Sequence, residues 1–233
     1  MVAVLGVDAC PTGWVAIELK DGRFARAWWE TGLRSLLREA EQGAARTGLE
    51  VVAVDMPLGL LDEGWRQADA EAAAVLGRLR GSVFRVPPRA VWLEPDYVAA
   101  SRRCRELTGA GLSRQSWGLA AKLREANACL ADANGDRLFE VHPEVSFWAL
   151  AGGIPLTHRK KSWAGQMARR SLLATAGVDL PDELGPAGRV PPDDILDAAA
   201  AAWSAHRIAQ GRAGSFPDPP QRDGQGRRLA IWY

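Results

Sequence analysis

The opening segment constrains the fold most strongly. A short apolar run over residues 2–7 delivers Asp8 to a turn that contains Pro11 and Gly13, and a second apolar run follows over residues 14–19. Apolar runs bounded by turn residues are typical of buried strands. An Asp-Gly pair at 21–22 then predicts a hairpin turn into a third strand over 24–29. The first thirty residues therefore predict an antiparallel meander of three strands.

A second strand that ends in an acid follows the meander. Apolar residues at helical spacing predict a helix from Leu33 to near Gly43. The β-branched run that follows delivers Asp55 to a break at Pro57 and Gly59. The strand–helix–strand order predicts that this strand is parallel to the first, through a right-handed crossover.

The remainder of the chain looks mainly helical, with one more strand that ends in an acid. This third unit, a strand that leads to acidic residues, spans residues 137–144 and carries Glu140. Because no internal repeat is visible, we expect a single domain over 1–233, with residues 61–135 as a helical insertion. Expected elements, besides a last strand at 229–233, are helices at 66–79, 97–107, 117–131, 163–176 and 193–209.

Composition excludes several classes of protein. The net charge of +1 argues against a nucleic-acid binder that works by bulk electrostatics. Three scattered cysteines imply neither a zinc knuckle nor a disulfide framework. No apolar run approaches the roughly 20 residues of a membrane span, and Met1 leads directly into a strand, so we expect a cytoplasmic protein without a membrane partner. The ten tryptophans are spread along the chain, which suits core packing better than a base-stacking platform.

The carboxylates at the strand ends predict a metal site. Asp8 alone fits ordinary turn chemistry as well as a functional role. Ligands of open α/β sheets, however, bind beyond the carboxyl ends of parallel strands, where Asp55 also lies. Neighbouring strands are about 4.8 Å apart, so both carboxylates can reach one cation, and Mg²⁺ suits such oxygen ligands.

Three further acids are candidates for the same site. Asp194 and Asp197 share one face of the last helix. Acids in a first helical turn also cap a helix or complement its dipole, which explains Asp194 as well as a metal role does. Asp197 lies a turn further in, beside an alanine-rich stretch that would allow the helix to approach the sheet closely. Glu140 is a candidate for binding the metal or positioning water.

The basic residues give weaker indications. Lys160 and Lys161 belong to a basic loop that is explained by a solvated surface, although one of them is expected to contact phosphate. Arg66 and Asp69 fit either a buried ion pair or a site element.

With these residues in view, the chain resembles the domain-of-unknown-function family 429 (DUF429), regarded as predicted nucleases with a ribonuclease H-like fold. The motifs that carry the resemblance extend almost from end to end. They are Gly6-Val7-Asp8 with Gly13-Trp14, residues 54–60, Arg66 with Asp69, Ser82-Val83-Phe84 with Pro87 and Arg89, residues 113–115, Lys122 with Arg124-Glu125, residues 140–144, Lys160-Lys161, residues 194–198 and residues 230–233.

The resemblance implies a fold and a set of site residues. The fold is α/β, a mixed five-stranded sheet of an antiparallel meander plus parallel strands, flanked by helices. The implied catalytic residues are Asp8, Asp55 and Asp197, with Asp194 as a further metal ligand as in Holliday-junction resolvases. Ribonuclease H takes another acid from its first helix, where this chain offers only Glu39 and Glu41, and Glu140 is the candidate substitute. The expected substrate-binding residues are Arg66, Arg89, Lys160 and Lys161.

Three functions remain open at this point. The leading hypothesis is a nuclease that depends on Mg²⁺ or Mn²⁺ and hydrolyses phosphodiester bonds of nucleic acid. A small-molecule phosphotransferase or nucleotide-binding enzyme of the same superfamily is the first alternative. The second is a non-catalytic interaction module that has kept the fold.

Overall fold

The predicted meander is present at the start of the chain. Its strands are β1 (Ala3–Cys10), β2 (Gly13–Lys20) and β3 (Arg23–Glu30), each antiparallel to the next. Asp21 and Gly22 both have positive φ angles, 50° and 79°, as the two-residue hairpin turn requires. The Asp21 carboxylate accepts a hydrogen bond from the Val2 N–H at 2.8 Å, which ties the turn to the start of β1.

Two parallel strands complete the main sheet. The structure is a computed structural model that describes residues 2–44, 48–132 and 135–233. Within these ranges, β4 (Val51–Val54) pairs with β1 and β5 (Leu138–Glu140) pairs with β4, both in parallel. The order of the five-stranded sheet is β3-β2-β1-β4-β5. This mixed α/β sheet with flanking helices is consistent with a ribonuclease H-like arrangement, as predicted.

Helices cover both faces of this sheet. On one face, α1 (Leu33–Gly43) and α6 (Ala120–Leu130) pack on Leu5 and Val7 of β1, and on the other face α9 (Pro192–Ala209) packs on Val4. The helices of the described residues are α1 (Leu33–Gly43), α2 (Gln67–Val75), α3 (Arg89–Trp92), α4 (Tyr97–Thr108), α5 (Arg114–Gly118), α6 (Ala120–Leu130), α7 (Pro143–Leu150), α8 (Trp163–Thr175) and α9 (Pro192–Ala209).

Two of the expected helices between β4 and β5 were wrong in extent. The helix expected over 66–79 ends at Val75, and a 3₁₀ segment (Gly77–Ser82) follows because Gly77 adopts a positive φ of 54°. The helix expected over 117–131 is instead divided into α5 and α6. Residues 133 and 134, inside the expected insertion, lie outside the described ranges. The division into one domain with a helical insertion over 61–135 stays a prediction.

The structure contains a second, two-stranded sheet, of which the sequence predicted only one strand. Strand β7 (Arg228–Trp232) corresponds to the expected last strand, and it pairs with β6 (Ser215–Arg222), which the sequence did not predict. Three prolines within β6 hide its strand character, since proline is confined to edge strands or bulges. Trp232 bridges to Val141, just beyond β5, so this hairpin continues from the edge of the main sheet.

Membrane-spanning potential and cysteine pairing can be read directly from the described residues. No helix in the described ranges is long and apolar enough to cross a membrane. The three cysteines are buried and free.

Candidate metal centre

The close approach of α9 to β1 organises the site. Gly6 lies at the contact, where an added Cβ would fall 1.9 Å from the Ala202 nitrogen and 2.3 Å from the Ala198 oxygen. Helix α9 presents an uninterrupted buried alanine run from Ala198 to Ala202. Glycine facing alanine therefore allows backbone-to-backbone contact, as the alanine-rich stretch had suggested, and this contact brings Asp197 to the sheet.

Strand alternation turns Asp8 and Asp55 toward the same helix. Side chains along a strand point alternately to its two faces, and Val4 of β1 and Ala53 of β4 pack in the cluster around α9. Asp8 and Asp55 lie four and two residues further on, respectively, so they share that face. The Asp55 N–H donates to the Val7 oxygen at 2.8 Å, which extends the strand pairing up to the two acids.

The three aspartates converge on one point. One carboxylate oxygen from each of Asp8, Asp55 and Asp197 lies within 4.8 Å of the other two. Asp8 is 4% exposed and Asp197 only 1%, whereas Asp55 is partly buried. We call these residues the aspartate trio. Their oxygen atoms could hold a metal ion, and the hard-donor set fits a hard divalent cation.

Burial and mutual repulsion make the trio reluctant to ionise fully. Burial, reinforced by the charges of Asp55 and Asp197, raises the pKa of Asp8 well above its usual value. Burial also raises the pKa of Asp55, although His142, Lys160 and a hydrogen bond with Asp8 oppose the rise. The pKa of Asp197 is raised to about 7, again mainly by burial, with Lys160 opposing it. A bound cation would remove this cost by favouring the ionised form.

Lys160 neutralises part of the trio. Its ammonium group forms an ion pair with Asp197 Oδ2. Burial works to lower the pKa of Lys160, but the charges of Asp197, Asp8 and Asp55 outweigh it and raise this pKa above its usual value. The other oxygen, Asp197 Oδ1, is buried and has no hydrogen-bond partner among the described residues. Thus one acceptor of the trio remains unfilled.

The turn that carries Lys160 is fixed to α8. Gly165 packs against the Arg159 oxygen, where a Cβ would fall only 2.0 Å away. The buried Arg169 donates to the His158 oxygen at 3.0 Å and forms a bidentate pair with Glu144 at 2.6 and 2.7 Å. These contacts set the position of Lys160 before any ligand arrives.

Asp194 and Lys161 lie beside the trio. Asp194 is in the first turn of α9, where Pro191 is the N-cap residue and no side chain caps the helix. Burial, followed by the charge of Asp193, raises the pKa of Asp194 to about 6, while Lys160 and Lys161 oppose the rise. Lys161 itself is exposed.

Glu140 is not brought into the trio. It pairs in register with Val54, whose side chain packs on the α1 face, so Glu140 points to the face opposite Asp55. Its Oε1 pairs with Arg66, and its Oε2 accepts a hydrogen bond from the Leu58 N–H at 2.8 Å. Arg66 is 2% exposed and also pairs with Asp69 at 3.3 Å. We call Arg66, Asp69 and Glu140 the arginine network.

Arg66 and Arg89 are both engaged away from the trio. Arg66 belongs to the buried arginine network. Arg89 donates to the Leu60 oxygen at 2.9 Å and pairs with Asp62 and Asp223 at 3.4 and 3.3 Å. Both arginines therefore fix loops, whereas Lys160 and Lys161 lie at the aspartates.

Two residues near the site, His142 and Asn127, were not among the predicted site residues. His142 follows β5, and its charge lowers the pKa of Asp55 against the larger effect of burial. Asn127 of α6 accepts from the Gly59 N–H at 2.9 Å and donates to the Pro57 oxygen at 2.8 Å, which holds the loop after Asp55. In the sequence, the position of His142 two residues beyond Glu140 could have indicated a place near the strand end. No sequence feature distinguished Asn127.

Comparison with known proteins identifies a family. The family model described as "Protein of unknown function (DUF429)" matches residues 6–222, nearly the whole chain, and the chain therefore belongs to this family. No curated protein and no solved structure matches it.

Proposed function

We propose that this member of the DUF429 family is a phosphodiesterase that depends on Mg²⁺ or Mn²⁺ and acts on nucleic acid. Asp8, Asp55 and Asp197 are its catalytic and metal-binding carboxylates, and Asp194 is an auxiliary acid beside them. The nucleic-acid partner and the cytoplasmic location expected from the sequence are parts of this proposal.

The unfilled Asp197 Oδ1 is the observation that carries the proposal. An unsatisfied buried polar atom costs about 1–3 kcal/mol, and this one belongs to a trio whose oxygens approach within 4.8 Å. With all three acids ionised, the single charge of Lys160 leaves two negative charges unbalanced. A divalent cation matches both the charge and the free acceptor.

The residues of this chain divide the work between binding metal and binding phosphate. Asp8, Asp55 and Asp197 would hold the ion, and oxygen ligands favour Mg²⁺ or Mn²⁺ over softer metals. Such an ion supplies a Lewis acid for phosphoryl oxygens and lowers the pKa of a coordinated water. Lys160 holds a positive charge at Asp197, and the exposed Lys161 offers a second cation to a phosphate group.

The experiment is a phosphodiesterase assay with bis(p-nitrophenyl) phosphate and a labelled oligonucleotide. We expect hydrolysis with Mn²⁺, none with EDTA, and a loss of at least about a thousandfold in Asp8→Asn, since metal-ion catalysis supplies several kcal/mol. Asp182→Asn, at an exposed acid that pairs with Arg170, is the matched control and should keep full activity. Equal activity of folded Asp8→Asn protein would refute the proposal.

Binding measurements separate the two alternatives. Thermal stabilisation by ATP with Mg²⁺, without any effect of oligonucleotides, would replace the nuclease with a phosphotransferase. Calorimetry that detects no Mn²⁺ binding would leave a non-catalytic module.

A further inference from the structure

Trp163 departs from the pattern that the other tryptophans follow. All ten lie in the described ranges, and nine are buried or partly buried, including Trp14 at 0% and Trp92 at 1% exposed. Trp163 is 76% exposed. No hydrogen bond or ring contact holds its indole among the described residues. Exposing so large an apolar side chain forgoes the stabilisation that burial would give, and it leaves the face of the indole accessible to a ligand.

The position of Trp163 relative to the aspartate trio indicates the kind of ligand. Lys160, three residues earlier, forms the ion pair with Asp197, and the charge of Lys161 acts on Asp194. Three residues span at most about 11 Å, and the side chain of Lys160 adds its own length, so the backbone of Trp163 lies within a few nucleotides of a phosphodiester held at the trio. The turn is rigid, since Gly165 and Arg169 anchor it to α8.

Charge complements the exposed ring. Arg159 and Lys161 are exposed on the same turn. Met167 lies one helical turn beyond Trp163 and is 39% exposed, which extends the apolar surface along α8. An aromatic platform beside cations is the arrangement that binds single-stranded nucleic acid, in which bases stack and phosphates pair with cations.

We propose that Trp163 is a base-stacking residue, and that the substrate is therefore single-stranded nucleic acid, DNA or RNA. The inference rests on the proposed function, because the trio defines where the phosphodiester lies. Bases in a duplex are stacked on one another and cannot present a face to Trp163, so the site favours a strand with unpaired bases.

Binding of labelled strands tests this directly. We would measure fluorescence anisotropy of 12-nucleotide DNA and RNA single strands, and of the corresponding duplexes, with Ca²⁺ in place of Mn²⁺. Trp163→Ala should raise the dissociation constant for at least one single strand by about fivefold or more. Trp163→Phe, which keeps a stacking face, should stay within about twofold of the original protein.

A matched control and a small substrate complete the design. Leu93→Ala removes a 70% exposed apolar side chain elsewhere and should leave the dissociation constants for all strands unchanged. Unchanged single-strand affinity in Trp163→Ala, an equal loss in Trp163→Phe, or an equal loss for duplexes would overturn the inference. Failure of the original protein to hydrolyse bis(p-nitrophenyl) phosphate would refute the phosphodiesterase instead, and the anisotropy result would still stand.

Discussion

The aspartate trio and the arginine network are two groups of buried carboxylates at the carboxyl ends of neighbouring strands, on opposite faces of the sheet. In the arginine network every carboxylate oxygen meets a donor. Arg66 pairs with Glu140 Oε1 and Asp69 Oδ1, and the N–H groups of Leu58 and Val86 donate to the two remaining oxygens at 2.8 Å.

In the aspartate trio, by contrast, one carboxylate oxygen does not meet a donor. Lys160 forms an ion pair with Asp197 Oδ2, while Asp197 Oδ1 has no hydrogen-bond partner among the described residues. Burial is the largest influence on the pKa of Asp197 and of Glu140, and it raises both to about 7. Burial alone therefore does not separate a site acid from a structural one. Both groups contain buried atoms without a hydrogen-bond partner among the described residues, but in the arginine network these are the donors Nε and Nη1 of Arg66, whereas in the trio the atom is an acceptor that a cation could bind.

Replacing the principal cation of each group should give the largest difference in the free energy of unfolding. Arg66→Met leaves two carboxylates buried without their arginine and should lower the free energy of unfolding by about 3–5 kcal/mol. Lys160→Met should cost much less, because the side chain of Lys160 is 36% exposed, against 1% for Arg66, so solvent already screens its ion pair. Urea denaturation measures both variants. A loss in Lys160→Met as large as that in Arg66→Met would remove the distinction between the groups.

Displacing α9 should disturb the trio and spare the network. In Gly6→Ala the new Cβ meets the backbone of Ala202 and must push the helix outward, at a cost of about 1–3 kcal/mol. Mn²⁺ binding, measured by calorimetry, should weaken because Asp197 moves with α9. Gly118→Ala, where an added Cβ would have no tertiary neighbour within 4 Å among the described residues, is the control. Undiminished Mn²⁺ affinity in Gly6→Ala would mean that the alanine contact does not position the site.

The pH dependence of stability should give the smallest effect. The pKa of Asp197 is raised from 3.8 to about 7, so its contribution is full below pH 4 and is lost as pH rises through about 7. Without metal, the melting temperature should fall between about pH 4 and pH 7 and level off above that range. Saturating Mn²⁺ should reduce this fall by stabilising the ionised trio.

The pH experiment has its own control in Asp197→Asn. This variant should lose the influence of Mn²⁺ on the profile, while the part of the fall that comes from Glu140 remains. A profile that is identical with and without Mn²⁺ in the original protein would contradict the assignment.

Much of the fold followed from local patterns. Apolar runs bounded by turn residues, the Asp-Gly turn and the helix from Leu33 to Gly43 are short-range features, and the sequence predicted them correctly. The approach of α9 was also foreseeable, because alanine has no side chain beyond Cβ that would hold a helix away from the sheet.

The other features of the fold and the site depend on how distant segments pack together, which no single segment of sequence predicts. The face on which Glu140 lies is set by its register with Val54, and a shift of one residue would have reversed it. The exposure of Trp163 was equally hidden, since the other nine tryptophans conform to core packing. Strand β6 was concealed by its prolines, and its pairing with β7 depends on a partner further along the chain.

Crystals soaked in Mn²⁺ would test the central claim most directly through anomalous scattering. We predict a peak bound by carboxylate oxygens of Asp8, Asp55 and Asp197, with Asp197 Oδ1 among the ligands, and no peak at Glu140 or Asp69. A saturating soak that leaves the aspartate trio empty, or that places manganese on the arginine network, would contradict the account.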